Sequence, residues 1–179
     1  MSKIVLLTGS PRAKGNSMAM AKAFEDAAVA KGHEVIRFDT AKMEMNGCKA
    51  CNACYRKGAC ALVPDFNPIA EAIEEADGIV WAAPVYWYTW PAQIKAVLDH
   101  FYAFCVAEKC FGGKKTALIS CCEEADMSTF DGIVYSFEKS MGLMQYDIVG
   151  KILIPAVNEA GEIAGTDGEA QAAALADKF

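Results

Sequence analysis

The chain opens on an apolar run, Ile4-Val5-Leu6-Leu7, of the kind that marks a parallel strand covered on both faces. Thr8, Gly9, Ser10 and Pro11 break the run, and Asn16 or Ser17 is a suitable N-cap for the helical stretch from Met18 to Phe24. Lys31-Gly32 ends that helix, and the half-alternating segment Glu34 to Asp39 predicts a second strand near a sheet edge. No periodicity follows from Thr40 to Pro64, and a loop of this length in a compact domain usually has a function.

Asp65 or Asn67 caps the next helix, which places Ile69, Ala72, Ile73 and Ala76 on one face. A third buried strand, Ile79 to Ala83, ends at Pro84 and gives way to an aromatic loop running to Trp90. Pro91 then opens a helix through Ile94, Val97, Leu98 and Phe101 to Phe104. Thr116 to Ser120 predicts a fourth strand with Cys121 and Cys122 at its end, and Ser128 a cap for a helix from Thr129 to Met141. Gln145 to Ile154 predicts a fifth strand bent at Gly150, and Gly168 to Asp177 a last helix. Strands that alternate with helical crossovers predict an open parallel α/β sheet.

The segment between the first strand and the first helix carries candidate chemistry. It gathers free backbone amides and hydroxyls at the positive end of a helix dipole, and Arg12 and Lys14 add charge, so it reads as a phosphate cradle. Gly9 and Gly15 are too few and too far apart for the dinucleotide fingerprint, and no Gly-Lys-Ser/Thr follows for a nucleoside-triphosphate loop. The plainer reading is a serine-rich turn that only caps a helix. A phosphate-binding first loop makes 2-1-3-4-5 the expected strand order, with ligands bound beyond the strand ends between the first and third strands. There the Pro84 to Trp90 loop would meet the cradle. A molecule with a phosphate at one end and a flat aromatic system at the other fits both loops, with Ser120 to Glu124 as a third wall. The competing reading makes Tyr86, Trp87, Tyr88 and Trp90 core or interface aromatics.

Gly9-Ser10-Pro11-Arg12-x-x-Gly15-Asn16-Ser17 resembles the FMN-phosphate loop of the flavodoxin-like NAD(P)H-dependent FMN reductase family. Ala82 to Phe101, which includes Pro84-Val85-Tyr86-Trp87, is similar to that family's second flavin loop and following helix. With the strand pattern, the likeness covers most of the chain. It implies a single flavodoxin-like domain over residues 1–179, a three-layer sandwich around a five-stranded parallel sheet. It further implies FMN, a nicotinamide donor, NADH or NADPH, and a homodimer or higher homo-oligomer. Ser10, Pro11, Arg12, Gly15, Asn16, Ser17, Pro84, Val85, Tyr86, Trp87 and Ser120 are the expected cofactor contacts. No catalytic acid or base is nominated, because the chemistry belongs to the cofactor.

A cysteine-rich loop at about 44–64 is the second feature. Cys48, Cys51, Cys54 and Cys60 are spaced Cys-x2-Cys-x2-Cys-x5-Cys, so four thiols fall within thirteen positions and can converge on one small centre. In a reducing compartment such a set suits an iron–sulfur cluster or Zn²⁺, while reactive or structural thiols remain the alternative. The motif resembles that of the iron–sulfur flavoproteins, which implies a [4Fe–4S] cluster beside FMN. Cys105, Cys110, Cys121 and Cys122 lack this spacing, although Cys121 and Cys122 stand where they could touch a flavin.

Composition narrows the class. At 179 residues the chain suits one domain that buries roughly 70% of its unfolded surface. A formal charge of -6 argues against nucleic acid, and no run reaches the length of a membrane span. A cytoplasmic protein is expected. The leading expectation is an FMN-dependent NAD(P)H oxidoreductase serving a small-molecule or redox-protein acceptor. A non-catalytic flavodoxin-type electron carrier is the rival, and a metal-binding module a weaker third.

Overall fold

Five parallel strands form the middle layer of the structure, a computed structural model that describes residues 1–57 and 59–179. Gly58, within the cysteine loop, lies outside the described residues. The strands are β1 (Lys3–Thr8), β2 (Glu34–Asp39), β3 (Gly78–Pro84), β4 (Lys115–Cys121) and β5 (Asp147–Ile154), in the order β2-β1-β3-β4-β5. The predicted topology is therefore the one observed, with β2 at an edge.

The helices are α1 (Asn16–Ala30), α2 (Cys54–Lys57), α3 (Phe66–Glu75), α4 (Ala92–His100), α5 (Tyr102–Val106), α6 (Asp131–Leu143) and α7 (Gly168–Leu175). Strand pleating explains why β1 is apolar throughout, since successive side chains point to opposite faces. Ile4 and Leu6 enter the core under α1 and α7, together with Met20, Phe24 and Val80. Val5 and Leu7 enter the other core with Trp81, Leu118 and residues of α3 to α6. Each fully buried Leu or Ile contributes about 1.5–3 kcal/mol, so two buried faces per strand fix the three-layer arrangement.

Several local expectations are corrected. The N-cap of α1 is Gly15, without a side-chain cap bond, and Asn16 and Ser17 already lie in the first turn. Asn16 is committed to a distant segment instead: its Nδ2 donates to Glu159 C=O at 3.0 Å, and its Oδ1 accepts from Gly161 and Ile163 N–H. The helix expected through Phe104 breaks at Phe101, between α4 and α5. β4 runs one residue further than expected, so Cys121 belongs to the ladder. Asp126, rather than Ser128, caps the short 3₁₀ turn before α6, accepting from Ser128 N–H at 2.9 Å. The irregularity in β5 is a shift of register opposite Thr116 and Ala117, which skips Val149 and reaches Gly150. Among the described residues no helix is long and apolar enough to cross a membrane.

Candidate functional site

Where β1, β3 and β4 end, the chain leaves three buried strands in three turns, and these turns enclose a cleft of about 450 Å³. That volume lies in the range of small-molecule sites. The first wall is Ser10, Arg12, Gly15, Asn16 and Ser17, the second is Pro84 to Tyr88, and the third is Cys121 to Glu124. Thr129, Val157 and Asn158 complete the lining.

The first wall is shaped by a tight turn. Gly15 N–H donates to Arg12 C=O at 2.9 Å, and Arg12 N–H donates to Ser10 Oγ at 3.2 Å. A Cβ at Gly15 would lie 3.1 Å from both Arg12 C=O and Ser10 Oγ, so a side chain there would crowd the turn. The exposed Arg12 reaches over the cleft and donates from Nη1 to Asn158 C=O at 3.2 Å. Ser17 is buried, lines the cleft, and its Oγ has no hydrogen-bond partner. A buried unmade hydroxyl costs about 1–3 kcal/mol, and at the first turn of a helix it sits beside amides that also lack intrahelical acceptors. This is a donor set suited to an anion.

The second wall is a strained hairpin. Tyr86 and Thr89 exchange backbone hydrogen bonds at 2.9 and 3.1 Å around Trp87 (φ 47°) and Tyr88 (φ 63°). Two consecutive left-handed residues define the turn type that normally takes Asn-Gly, so aromatic side chains there are held against their preference. Three contacts hold them. Val85 N–H donates to Cys121 C=O at 2.9 Å, and Trp90, buried at the hairpin's end, donates from Nε1 to Ser136 Oγ at 3.1 Å. Gly132 of α6 supplies the third, because a Cβ there would sit 2.2 Å from Tyr88 C=O. Trp90 is therefore a core aromatic, whereas Trp87 is 93% exposed at the cleft mouth.

The third wall pairs two neutral thiols with the acidic Glu123 and Glu124. Burial, then the neighbouring Cys122 charge, pushes the Cys121 thiol up to about 12 against the opposing Ser17 N–H. Burial and the Glu124 charge push Cys122 up to about 11. Both sulfurs remain protonated at neutral pH, and Cys122 donates to Glu124 C=O at 3.2 Å.

Nine of the eleven expected contacts line this cleft. Pro11 is exposed and outside the lining, and Ser120 is fully buried within the β4 ladder, opposite Ala83 and Leu153. Thr129, Val157 and Asn158 were missed. For Val157 and Asn158 the available signal was their place just beyond the end of β5.

The cysteine loop forms a separate pocket of about 30 Å³. Cys48, Cys51, Cys54 and Cys60 all line it, together with His100 and Tyr102. Cys48 and Cys51 are exposed, and Ala50 and Asn52 between and beside them have positive φ. Asn67 clamps Cys60 by its backbone, accepting from its N–H at 3.0 Å and donating to its C=O at 3.2 Å. Tyr55 and Tyr102 join hydroxyls at 3.0 Å beside the pocket. The hydrogen bond to Tyr55, desolvation and the charges of Tyr55, Cys54 and Cys48 push Tyr102 up to about 12. In kind and place this donor set fits a thiolate-bound metal. Its thiols are nevertheless spread, and among the described residues no group of three His, Cys, Asp or Glu is arranged to hold an ion.

The sequence profile of the NADPH-dependent FMN reductase family matches residues 2–131. The chain belongs to that family. Iron–sulfur flavoproteins of Methanocaldococcus jannaschii and Methanosarcina thermophila are 34% and 38% identical to it over 97 residues. These matches cover 54% of this chain and 50% and 51% of those proteins. The match thus spans about half the length of these relatives. An azoreductase from Bacillus anthracis superposes with a TM-score of 0.76 over 100% of both chains, at 20% identity. A NAD(P)H:quinone oxidoreductase from Methanothermobacter marburgensis superposes at 0.71 over 97% of this chain and 94% of that one, at 15% identity. These structural likenesses establish the flavodoxin-like fold. Family membership carries FMN and a nicotinamide nucleotide as the implied cofactor and donor.

Proposed function

We propose that this reductase-family chain is an FMN-dependent NAD(P)H oxidoreductase that passes reducing equivalents to a small-molecule or protein acceptor. The observation that carries this reading is the orphaned Ser17 hydroxyl at the start of α1, in one cleft with Arg12 and the held aromatic hairpin. Bound FMN would supply the electron exchange with the nicotinamide. The chain's own residues do the rest. Ser17 Oγ, Ser10, Arg12 and the first-turn amides of α1 would hold the phosphate. Pro84, Val85, Tyr86 and Trp87 would line the space for the ring. Cys121 and Cys122, both protonated, would add no charge of their own to the ring's surroundings.

The exposed Trp87, Tyr88 and Tyr135 support a homo-oligomer in which a second copy covers the cleft mouth. Cys48, Cys51, Cys54 and Cys60 would hold a metal centre, supported by their shared pocket and spacing and by the iron–sulfur names of the relatives.

Steady-state oxidation of NADH and NADPH by FMN-loaded protein, with free flavin, a quinone or ferricyanide as acceptor, tests the reading. Turnover that disappears when FMN is stripped and returns on reloading is expected. No turnover with either donor would leave a carrier of electrons in place of a reductase.

A further inference from the structure

Among the described residues three charged residues line the strand-end cleft, Arg12 on the first wall and Glu123 and Glu124 on the third. Arg12 is the one that the phosphate of FMN would engage. Lys14, the other cation of the first turn, is exposed and does not belong to the lining. Neither glutamate has an ion-pair partner among the described residues. Both are exposed, yet the backbone beneath them is held: Glu124 C=O accepts from Cys122 Sγ at 3.2 Å and from Ala156 N–H at 3.0 Å. After burial, the Glu124 charge is what pushes up the Cys122 thiol of the lining, so that charge is felt inside the cleft. The charges next to the lining have the same sign. The Glu162 carboxylate accepts from Asn158 N–H at 2.7 Å, and Asp126 caps the turn before α6.

NADH and NADPH share their ring and pyrophosphate and differ in one 2′-phosphate. A phosphate monoester carries about −1.5 to −2 charge at pH 7. Sites that accept the 2′-phosphate offer a cation such as arginine, whereas sites for NADH offer a carboxylate to the free 2′-hydroxyl. With Arg12 engaged by FMN, the cleft keeps two carboxylates and no cation. We propose that Glu123 and Glu124 make this cleft select NADH over NADPH. The proposal rests on the reading that the chain oxidises a nicotinamide nucleotide on FMN. Either carboxylate can accept from a ribose hydroxyl, and both repel a phosphate that comes within a Debye length, about 10 Å at 0.1 M salt. The family is named for NADPH, so this preference is a property of the chain's own third wall. Because the 2′-phosphate is remote from the hydride, the selection falls on binding rather than on the rate at saturation.

Two measurements on the full FMN-loaded chain test this. Calorimetric titration compares NAD⁺ with NADP⁺, and anaerobic reduction by NADH or NADPH is followed by the loss of flavin absorbance. Either donor passes one hydride to bound FMN, a second proton coming from solvent, and leaves as the oxidised nucleotide, so the pair is matched in all but the phosphate. The wild-type chain is expected to bind NAD⁺ at least about tenfold more tightly than NADP⁺ and to favour NADH by a similar factor in kcat/KM. Replacing both acids, Glu123→Gln with Glu124→Gln, should bring the two nucleotides within about threefold, chiefly by admitting NADPH. Glu124→Lys should carry the preference toward NADPH. Equal use of the donors by the wild-type chain, or a preference for NADPH, overturns the proposal and leaves the oxidoreductase reading standing. A double variant that loses NADH and NADPH alike, with the ratio kept, also overturns it, since a structural role alone would do that. Should the variants fail to fold, the wild-type ratio at about 20 and about 200 mM salt decides. A ratio that narrows with salt supports the carboxylates, and a constant one overturns them. If neither nucleotide binds or reduces FMN, the oxidoreductase reading falls and the preference with it.

Discussion

The cleft at the strand ends and the cysteine pocket differ in what holds them. The cleft is walled by short turns that leave fully buried strands, and each turn is tied to a neighbour: Val85 to Cys121, Trp90 to Ser136, Asn16 to the 159–163 segment. Its strained residues, Trp87 and Tyr88, are fixed by contacts around them. The cysteine pocket is walled on one side by α4 and α5 and on the other by a long irregular segment with its thiols spread. The difference teaches that preorganisation follows from where the chain exits the core. A turn of a few residues inherits the rigidity of the strand behind it, whereas a loop of some twenty residues has no strand directly behind its side chains to fix them.

The largest effect expected from this contrast is at Arg12. Arg12→Ala should weaken FMN by about 1.5–3 kcal/mol, roughly 10- to 100-fold, and leave riboflavin, which lacks the phosphate, unaffected in fluorescence titration. Equal losses for both ligands would show that the first wall does not read phosphate.

Two glycines sharpen the comparison. Gly132→Ala would drive a methyl into Tyr88 C=O and should cost about 1–3 kcal/mol of stability together with a matching loss of FMN affinity. Gly47→Ala, which meets nothing within 4 Å, should stay within about 0.5 kcal/mol in thermal and denaturant unfolding.

At the mouth of β1, burial raises the Asp39 carboxyl, but hydrogen bonds from Lys42, Arg37 and Thr8 outweigh it and hold the pKa down to about 2. A depressed carboxylate stabilises the fold above its unfolded pKa, and that stability is lost as pH falls through the folded one. Roughly 2 kcal/mol should disappear between pH 4 and pH 2, and Asp39→Asn should remove that part of the acid dependence of unfolding.

A further effect changes sign with ligand. Ser17→Ala removes a buried hydroxyl without a partner, so the FMN-free protein should gain about 1 kcal/mol in denaturant unfolding. The FMN-loaded protein should instead lose affinity about fivefold, a net hydrogen bond's worth. A loss of stability without FMN would mean that Ser17 already has a partner.

Much of this was legible in the residues. Ile4 to Leu7 reads as a strand buried on both faces because only a central parallel strand tolerates apolar side chains at both parities. Ser10 to Ser17 reads as an anion turn because its amides and hydroxyls are local. Ser120 was misjudged because β4 continues through Cys121, which leaves the serine inside the ladder; the length of a strand depends on its neighbours. Asn16 suggested a cap but serves a segment more than 140 residues away, and no local pattern carries a contact of that separation.

The sequence by itself determined the alternation of strands and helices, the turn between the first strand and the first helix, and the thiol spacing. All three rest on residues within a few positions of one another, where pattern and propensity act directly. Only the tertiary structure decided that Gly132 makes room for the aromatic turn, that Asn158 lies under Arg12, and that His100 lines the cysteine pocket. Those depend on packing between elements distant in the chain, and packing is settled when the layers close on a shared core.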